Sequence, residues 1–415
     1  MSKRNSILII SAVIIFIIGG LLFFYFSSNK NTNTTTGATS TNPFGDTSEY
    51  NNSNNNTSGE QTNQNDNTNE VIQNTNKLSQ VYKNPTSGAV FLKNKENQNI
   101  LRFVDRAVGN VYEYIPETQT SVNRVTNTTI PKIQETIWSS TGSKLILRYL
   151  ENDTDTITSF AGKIEADTSS SSTDSIGKIS GSFLTSNIGQ LVSNPKGDKI
   201  FSLVDKSDRS GTYGFTSNFD GTNKKNIFDS SILYWNISWP KENIITFTTK
   251  SNSKDIGLLY FFNTQTYSMD RILGNIIGLS TVVNNTADLV AYSYSSNSSF
   301  ALDVYDVKNK ISKNFKISTL ADKCIWGSNN IKILYCAIPQ SITEGDYPEV
   351  WYQGLTSFSD NIWELDIEKG TMTVLYESVT DGSTFDAINL NISSDDQYLS
   401  FSNKNDLSLW LLELN

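Results

Sequence analysis

A polar turn held between two apolar strands returns along this chain, at spacings mostly between forty and fifty-five residues. It reads Trp138-Ser139-Ser140-Thr141-Gly142-Ser143-Lys144-Leu145, then Ser193-Asn194-Pro195-Lys196-Gly197-Asp198-Lys199-Ile200. Looser copies are Ser238-Trp239-Pro240-Lys241-Glu242-Asn243-Ile244, Val283-Asn284-Asn285-Thr286-Ala287-Asp288-Leu289, Trp326-Gly327-Ser328-Asn329-Asn330-Ile331-Lys332 and Ile392-Ser393-Ser394-Asp395-Asp396-Gln397-Tyr398. A second element, Ile100-Leu101-Arg102-Phe103-Val104-Asp105, recurs as Ile146-Leu147-Arg148-Tyr149-Leu150-Glu151, forty-six residues later. That interval is the length of one four-stranded propeller blade. The runs between the turns are short and rich in Val, Ile, Phe, Tyr and Thr, with no helical period, as strands require.

Seven units follow, beginning near residues 88, 131, 184, 232, 278, 321 and 385. The last reaches only a third strand at Leu407–Leu414, so an N-terminal strand is expected to complete it and leave no open edge. Val81–Lys83 and Ala89–Lys93 are the two candidates. The expected fold is an all-β single propeller over residues 79–415. Seven blades are favoured, with six or eight as alternatives.

This pattern resembles the TolB-like and WD-repeat-like β-propeller family, whose repeat runs roughly W-S-P-D-G-K-x-I-A-F before a Y-x-x-D-x-x-x-G strand pair. Asp303-Val304-Tyr305-Asp306-Val307-Lys308 and Trp363-Glu364-Leu365-Asp366-Ile367-Glu368-Lys369-Gly370 carry the second part. Phe219-Asp220-Gly221-Thr222-Asn223-Lys224-Lys225 is similar to the turn before the family's outermost strand. The resemblance implies the fold and leaves the function open, because propellers host unrelated activities.

Ahead of the array the chain changes character. Residues 1–6, with Lys3 and Arg4, precede an uncharged apolar run over 7–26, Ile7 to Phe26. Twenty helical residues cover about 30 Å, the thickness of a bilayer core. The run exceeds a signal-peptide core and ends in bulky Phe23, Phe24, Tyr25 and Phe26, so an uncleaved signal anchor is expected rather than a cleaved leader. Positive charge before it places the N-terminus in the cytoplasm and the propeller outside, in a single-pass membrane protein. Residues 27–78 are dominated by Asn, Thr, Ser, Gln and Gly and read as a disordered stalk.

Composition narrows the chemistry. The chain has no histidine, which excludes histidine-based nucleophile activation and His-ligated zinc. Its two cysteines cannot make a structural zinc site, and a net charge of −9 argues against a nucleic-acid partner. No cofactor is expected, no metal site and no catalytic residue is assigned. The favoured reading is a non-catalytic scaffold at the cell envelope, binding an envelope protein, a peptide or a wall glycan. The alternative is a carboxylate-based glycan hydrolase or lyase on a propeller, for which Glu344, Asp346 and Glu349 beside Trp351 form the local acid cluster.

Candidate binding residues fall in two places. An insertion, Ser341–Asp360, interrupts the sixth unit between its second and third strands and carries Tyr347, Trp351, Tyr352 and Phe358. Loops on a rigid scaffold commonly carry function, and clustered Trp and Tyr suit a binding hot spot. The competing reading is a lid that hides its own aromatics. Arg102 and Arg148 occupy equivalent repeat positions, where they would either line an anionic site or staple blades through Asp105 or Glu135. Trp138, Trp239 and Trp326 are expected to pack between blades. Cys324 and Cys336 flank a hairpin, equidistant from its tip, and would form a structural disulfide or remain two buried thiols.

Overall fold

A computed structural model describes residues 72–73, 77–151, 156–166, 176–378 and 384–414. The apolar run 7–26 and most of the stalk lie outside them. So do the whole Ser/Thr-rich segment Asp167–Asp174 and the acidic residues Asp153 and Asp155. Among the described residues no helix is long and apolar enough to cross a membrane.

Seven antiparallel sheets follow one another along the chain, and six of them run from an inner to an outer strand in sequence order. The inner strands start at Thr86, Glu135, Ile188, Trp235, Ser280, Cys324 and Ala387, within a few residues of the unit starts read from the sequence. The second strands are apolar on both faces, as in Lys199–Asp205, where Ile200 to Val204 are all buried. A strand covered on both sides must sit between neighbouring sheets, and a ring of blades supplies both neighbours. Outer strands such as Ile311–Ile317 are mostly exposed.

Burial is correspondingly distributed around the ring. Seven apolar clusters each straddle two successive blades. The most aromatic joins blades 3 and 4, where Phe228 stacks on Phe247 at 4.2 Å and Trp235 meets Phe247 edge-on. Trp138, Trp239 and Trp326 all lie in these cores. The indole of Trp326 donates to the Val282 carbonyl of the preceding blade at 3.0 Å.

The recurring turn is the link from inner to second strand, and its chemistry explains its residues. A short polar side chain at its start accepts from the backbone N–H groups of the returning strand. Asn194 Oδ1 receives those of Asp198 and Lys199, Asn284 Oδ1 those of Asp288 and Leu289, and Ser393 Oγ those of Gln397 and Tyr398. The following tight bend puts Gly197 at φ 66°, where an added Cβ would also lie 2.1 Å from the Ser140 nitrogen. Asp396 takes the same left-handed conformation at φ 57°. Its carboxylate reaches the neighbouring blade 6 turn, accepting N–H groups from Ser328, Asn329 and Asn330 at 2.7 to 3.2 Å. Three oriented N–H groups make a small anion nest. Asp396→Ala is expected to cost about 2 kcal/mol and Asp396→Asn about half that, read as shifts of the urea midpoint.

The seventh blade is completed by the N-terminal strand Leu78–Tyr82, which pairs antiparallel with Leu409–Glu413. Ala89–Lys93, the other closure candidate, belongs to the inner strand of blade 1, Thr86–Lys93. The stalk is shorter than its composition suggested. Leu78 is buried, and Ile72–Gln73 adds a fifth, two-residue strand against Ser79 and Gln80, using backbone groups that the closure strand would otherwise leave unpaired. Side chains reinforce the seam. Tyr82 donates to Asp105 Oδ2 at 2.7 Å, and Lys93 and Asn99 of blade 1 bind Asp395 of blade 7. Burial works to raise the Asp395 carboxyl, but those partners and Ser393 hold it well below the ordinary carboxylate range.

Candidate functional site

The insertion in blade 6 crosses the face of the propeller formed by the loops between second and third strands. It carries one turn of helix, Glu349–Tyr352, and is held at both sides. Toward blade 4, Glu349 Oε1 accepts from the Ser253 backbone at 2.8 Å and hydroxyl at 2.9 Å, and Asp346 pairs with Lys254 at 3.0 Å. Toward blade 5, Gly345 N–H donates to the Ser298 carbonyl, and Ser295 Oγ donates to the Tyr347 carbonyl. Toward blade 7, Ser357 Oγ donates to Asn405 and Asp386. The segment is a strap with anchors on three blades besides its own.

Its aromatics face inward. Tyr347, Trp351 and Phe358 are buried with Phe300 and Leu320 in a core of their own, Tyr347 lying 4.8 Å from the Phe300 ring. These three side chains present no open face, so the hidden-lid reading describes them. Tyr352 differs. It is 37 % exposed, and its hydroxyl donates to Asp322 Oδ2 at 2.9 Å. Burial of the phenol, with the Asp322 carboxylate beside it, holds Tyr352 well above its ordinary pKa.

Beneath the strap lies an arrangement with no local signal in the sequence. Lys323, Asp360 and Asp386 are all fully buried. Lys323 Nζ contacts Asp360 Oδ2 at 2.8 Å, contacts Asp386, and donates to the Ala387 carbonyl at 3.0 Å. The ammonium also lies 5.1 Å from the Trp351 ring and 5.5 Å from that of Phe358. Asp386 Oδ2 in turn accepts the Trp351 indole N–H at 2.9 Å and the Phe358 backbone N–H at 3.0 Å. Burial pushes the Asp360 carboxyl up to about 6 despite the lysine. Burial likewise lowers the nearby Lys404, whose ammonium caps the other side of Trp351 at 5.1 Å. This triad seats the strap.

The two repeat arginines are engaged between blades. Arg102 donates to Glu113 at 2.8 Å and to the Gly142 carbonyl of blade 2 at 3.0 Å. Arg148 pairs with Glu135 and donates to the Ile188 and Gly189 carbonyls of blade 3. Each guanidinium fastens its blade to the next, and the two do not converge on one site. Cys324 lies opposite Cys336 across the inner and second strands of blade 6, and their sulfurs are bonded.

Open space lies at the strap's free edge. A cavity of about 370 Å³ sits where the inner parts of blades 4 and 5 face each other, with Asp322 and Tyr352 at its rim. A second, of about 550 Å³, continues outward over blade 4 and shares Lys250 and Tyr352 with the first. Sequence reasoning missed this cleft, because its walls are ordinary Ser and Thr positions that only the ring brings together.

Fold and strap define the class, a seven-bladed β-propeller with one face partly covered. The chain is similar to the solved oligogalacturonate lyase of Vibrio parahaemolyticus, with TM-score 0.52 and 8 % identity over 81 % of this chain and 93 % of that one. It also matches the Dos1 propeller, with TM-score 0.46 and 12 % identity over 82 % and 95 % of the two chains. TolB from Acinetobacter baumannii matches at TM-score 0.41 and 12 % identity over 70 % of this chain and 63 % of TolB, so this chain spans under two thirds of TolB's length. At such identities the likeness shows the fold alone. No protein-family signature matches the chain, and no curated protein matches it in sequence.

Proposed function

We propose that this chain is a membrane-tethered, extracytoplasmic binding scaffold, without catalytic activity, whose working surface is the strap-bearing face. The observation that carries the reading is the fate of the strap's carboxylates. Asp346 and Glu349 fix the strap to blade 4, Asp360 is buried on Lys323 together with Asp386 of blade 7, and Glu344, the third acid of the cluster, is exposed. A carboxylate glycosidase instead needs two acids free to face each other across an open cleft, whereas Asp322 and Glu349 at the open cleft accept hydrogen bonds from Ser280, Tyr352 and Ser253. What the face does offer is contact area: Tyr234 at 63 %, Ile256 at 58 % and Leu355 at 74 % exposure, beside Tyr352. The tether rests on the charge and length of residues 1–26.

Two measurements test this. A C-terminal tag should be accessible to external protease on intact cells, and the chain should fractionate with membranes. Crosslinking on those cells should capture a partner that the Tyr352→Ala/Leu355→Ala chain captures at least fivefold less, with an unchanged melting temperature. Trp351→Ala is unsuitable, since it opens the strap core. Equal capture by the double variant removes this face as the binding surface.

A further inference from the structure

We infer that the cleft at the strap's free edge binds a neutral oligosaccharide. The inference rests on the binding-scaffold reading and names the ligand class for its surface. The two chambers, about 370 and 550 Å³, share Lys250 and Tyr352 and so form one elongated site, within the size range of small-ligand pockets.

The inner chamber is lined by hydroxyls. Thr246, Thr248 and Ser280 are buried in its wall, with Ser238 and Thr281 beside them. They pair across short distances, Ser238 with Thr246 and Thr248 with Thr281, each at 2.6 Å. In the Thr248–Thr281 pair one O–H is engaged and the other remains, with lone pairs to spare, so the pair both donates and accepts, whereas Thr246 also reaches the Ser238 carbonyl and Ser280 donates to Asp322. That suits a ligand whose own groups do both. Fixed charge is mixed: Lys250 and Asp322 line the same chamber. A polyol can accept from the ammonium and donate to the carboxylate, whereas an ion of either sign meets one of them with like charge.

The outer chamber is different in kind. Tyr234, Ile256, Ile232 and Leu233 give it an aromatic and aliphatic floor, which matches the C–H face of a sugar ring. Asp255 and Glu349 stand in the same wall and disfavour an anionic sugar. Hydroxyl recognition at one end and an apolar platform at the other call for at least two linked rings.

The full chain, kept in detergent, is titrated calorimetrically with cellotetraose, chitotetraose, maltotetraose, tetragalacturonate and tetralysine. At least one neutral tetrasaccharide should bind at one per chain and more tightly than the two charged probes. Thr248→Val/Thr281→Val replaces both members of a hydroxyl pair by groups of the same shape and should fold normally. It should weaken binding at least tenfold, and Tyr234→Ala about fivefold. No saturable binding of any neutral probe, preference for a charged one, or wild-type affinity in the Thr variant overturns the assignment. Mass spectrometry of the same mixtures separates the two readings. A cleaved tetrasaccharide ends the non-catalytic reading and leaves the site standing. Intact, unbound sugars alongside Tyr352-dependent partner capture end the glycan assignment alone.

Discussion

A chain that begins at Asn84 is expected to lose the propeller. It lacks Leu78, Val81 and Tyr82, each at most 2 % exposed in the clusters that join blade 7 to its neighbours. Burying such side chains stabilises by about 1.5–3 kcal/mol apiece, so the deletion of three removes roughly 4.5–9 kcal/mol. A typical domain has about 5–15 kcal/mol in total. It also strips the pairing partner from Leu409–Glu413 and breaks the hydrogen bond from Tyr82 to Asp105. Circular dichroism during urea unfolding, with size-exclusion chromatography, should show an early or absent transition and self-association through the bared edge. A chain beginning at Val71 should keep the full-length midpoint. A cooperative transition at the normal midpoint in the shorter chain would show that the seam is dispensable.

Lys323→Met should be the most damaging single substitution on the strap-bearing face. It leaves Asp360 and Asp386 buried without their counter-charge, which costs roughly 3–5 kcal/mol. Adding Asp360→Asn should recover part of that loss, a coupling that a double-mutant cycle measures. The same site has a pH signature. Asp360 titrates at about 6 in the fold against an ordinary value of 3.8. Between those values the folded protein holds a proton that the unfolded chain has released, so this group's contribution to stability rises as pH falls through 6 toward 4. Above pH 6 the forced ionisation costs about 3 kcal/mol. Lowering the pH from 7.5 to 5 should therefore benefit the wild type more than Asp360→Asn, compared by urea midpoints. An equal response in both proteins would place the titration elsewhere.

The ring was legible because its signals are local. Ser139, Asn194, Asn284 and Ser393 announce turns through side chains that bond their own backbone, and Gly197 marks a bend that needs a left-handed residue. Those rules act within a few residues, so the unit starts read near 184, 232 and 278 fall within four residues of the inner strands at 188, 235 and 280. The strap could be placed by the same means, as an interruption of the sixth unit. Its internal order could not. Tyr347 and Trp351 look like an exposed hot spot until Phe300 and Asp386 arrive from other blades to cover them. Lys323, between Asp322 and Cys324, resembles a solvated loop lysine, and nothing nearby reports that its carboxylate partners lie 37 and 63 residues on. The repeat arginines fall between these cases. Of the two acids read as their partners, Glu135 pairs with Arg148, though within blade 2, whereas Asp105 accepts from Tyr82 and Arg102 takes Glu113 instead.

Joining residues 78–82 to 409–413 also sets an order for folding. Six sheets can form from contiguous segments, but each flank of the unfinished circle stays wet and sticky until residues 409–413 and 78–82 meet. Contacts this remote in sequence form late and slowly. Removing residues 406–415 should therefore resemble loss of residues 78–82, since either change leaves the seventh sheet open.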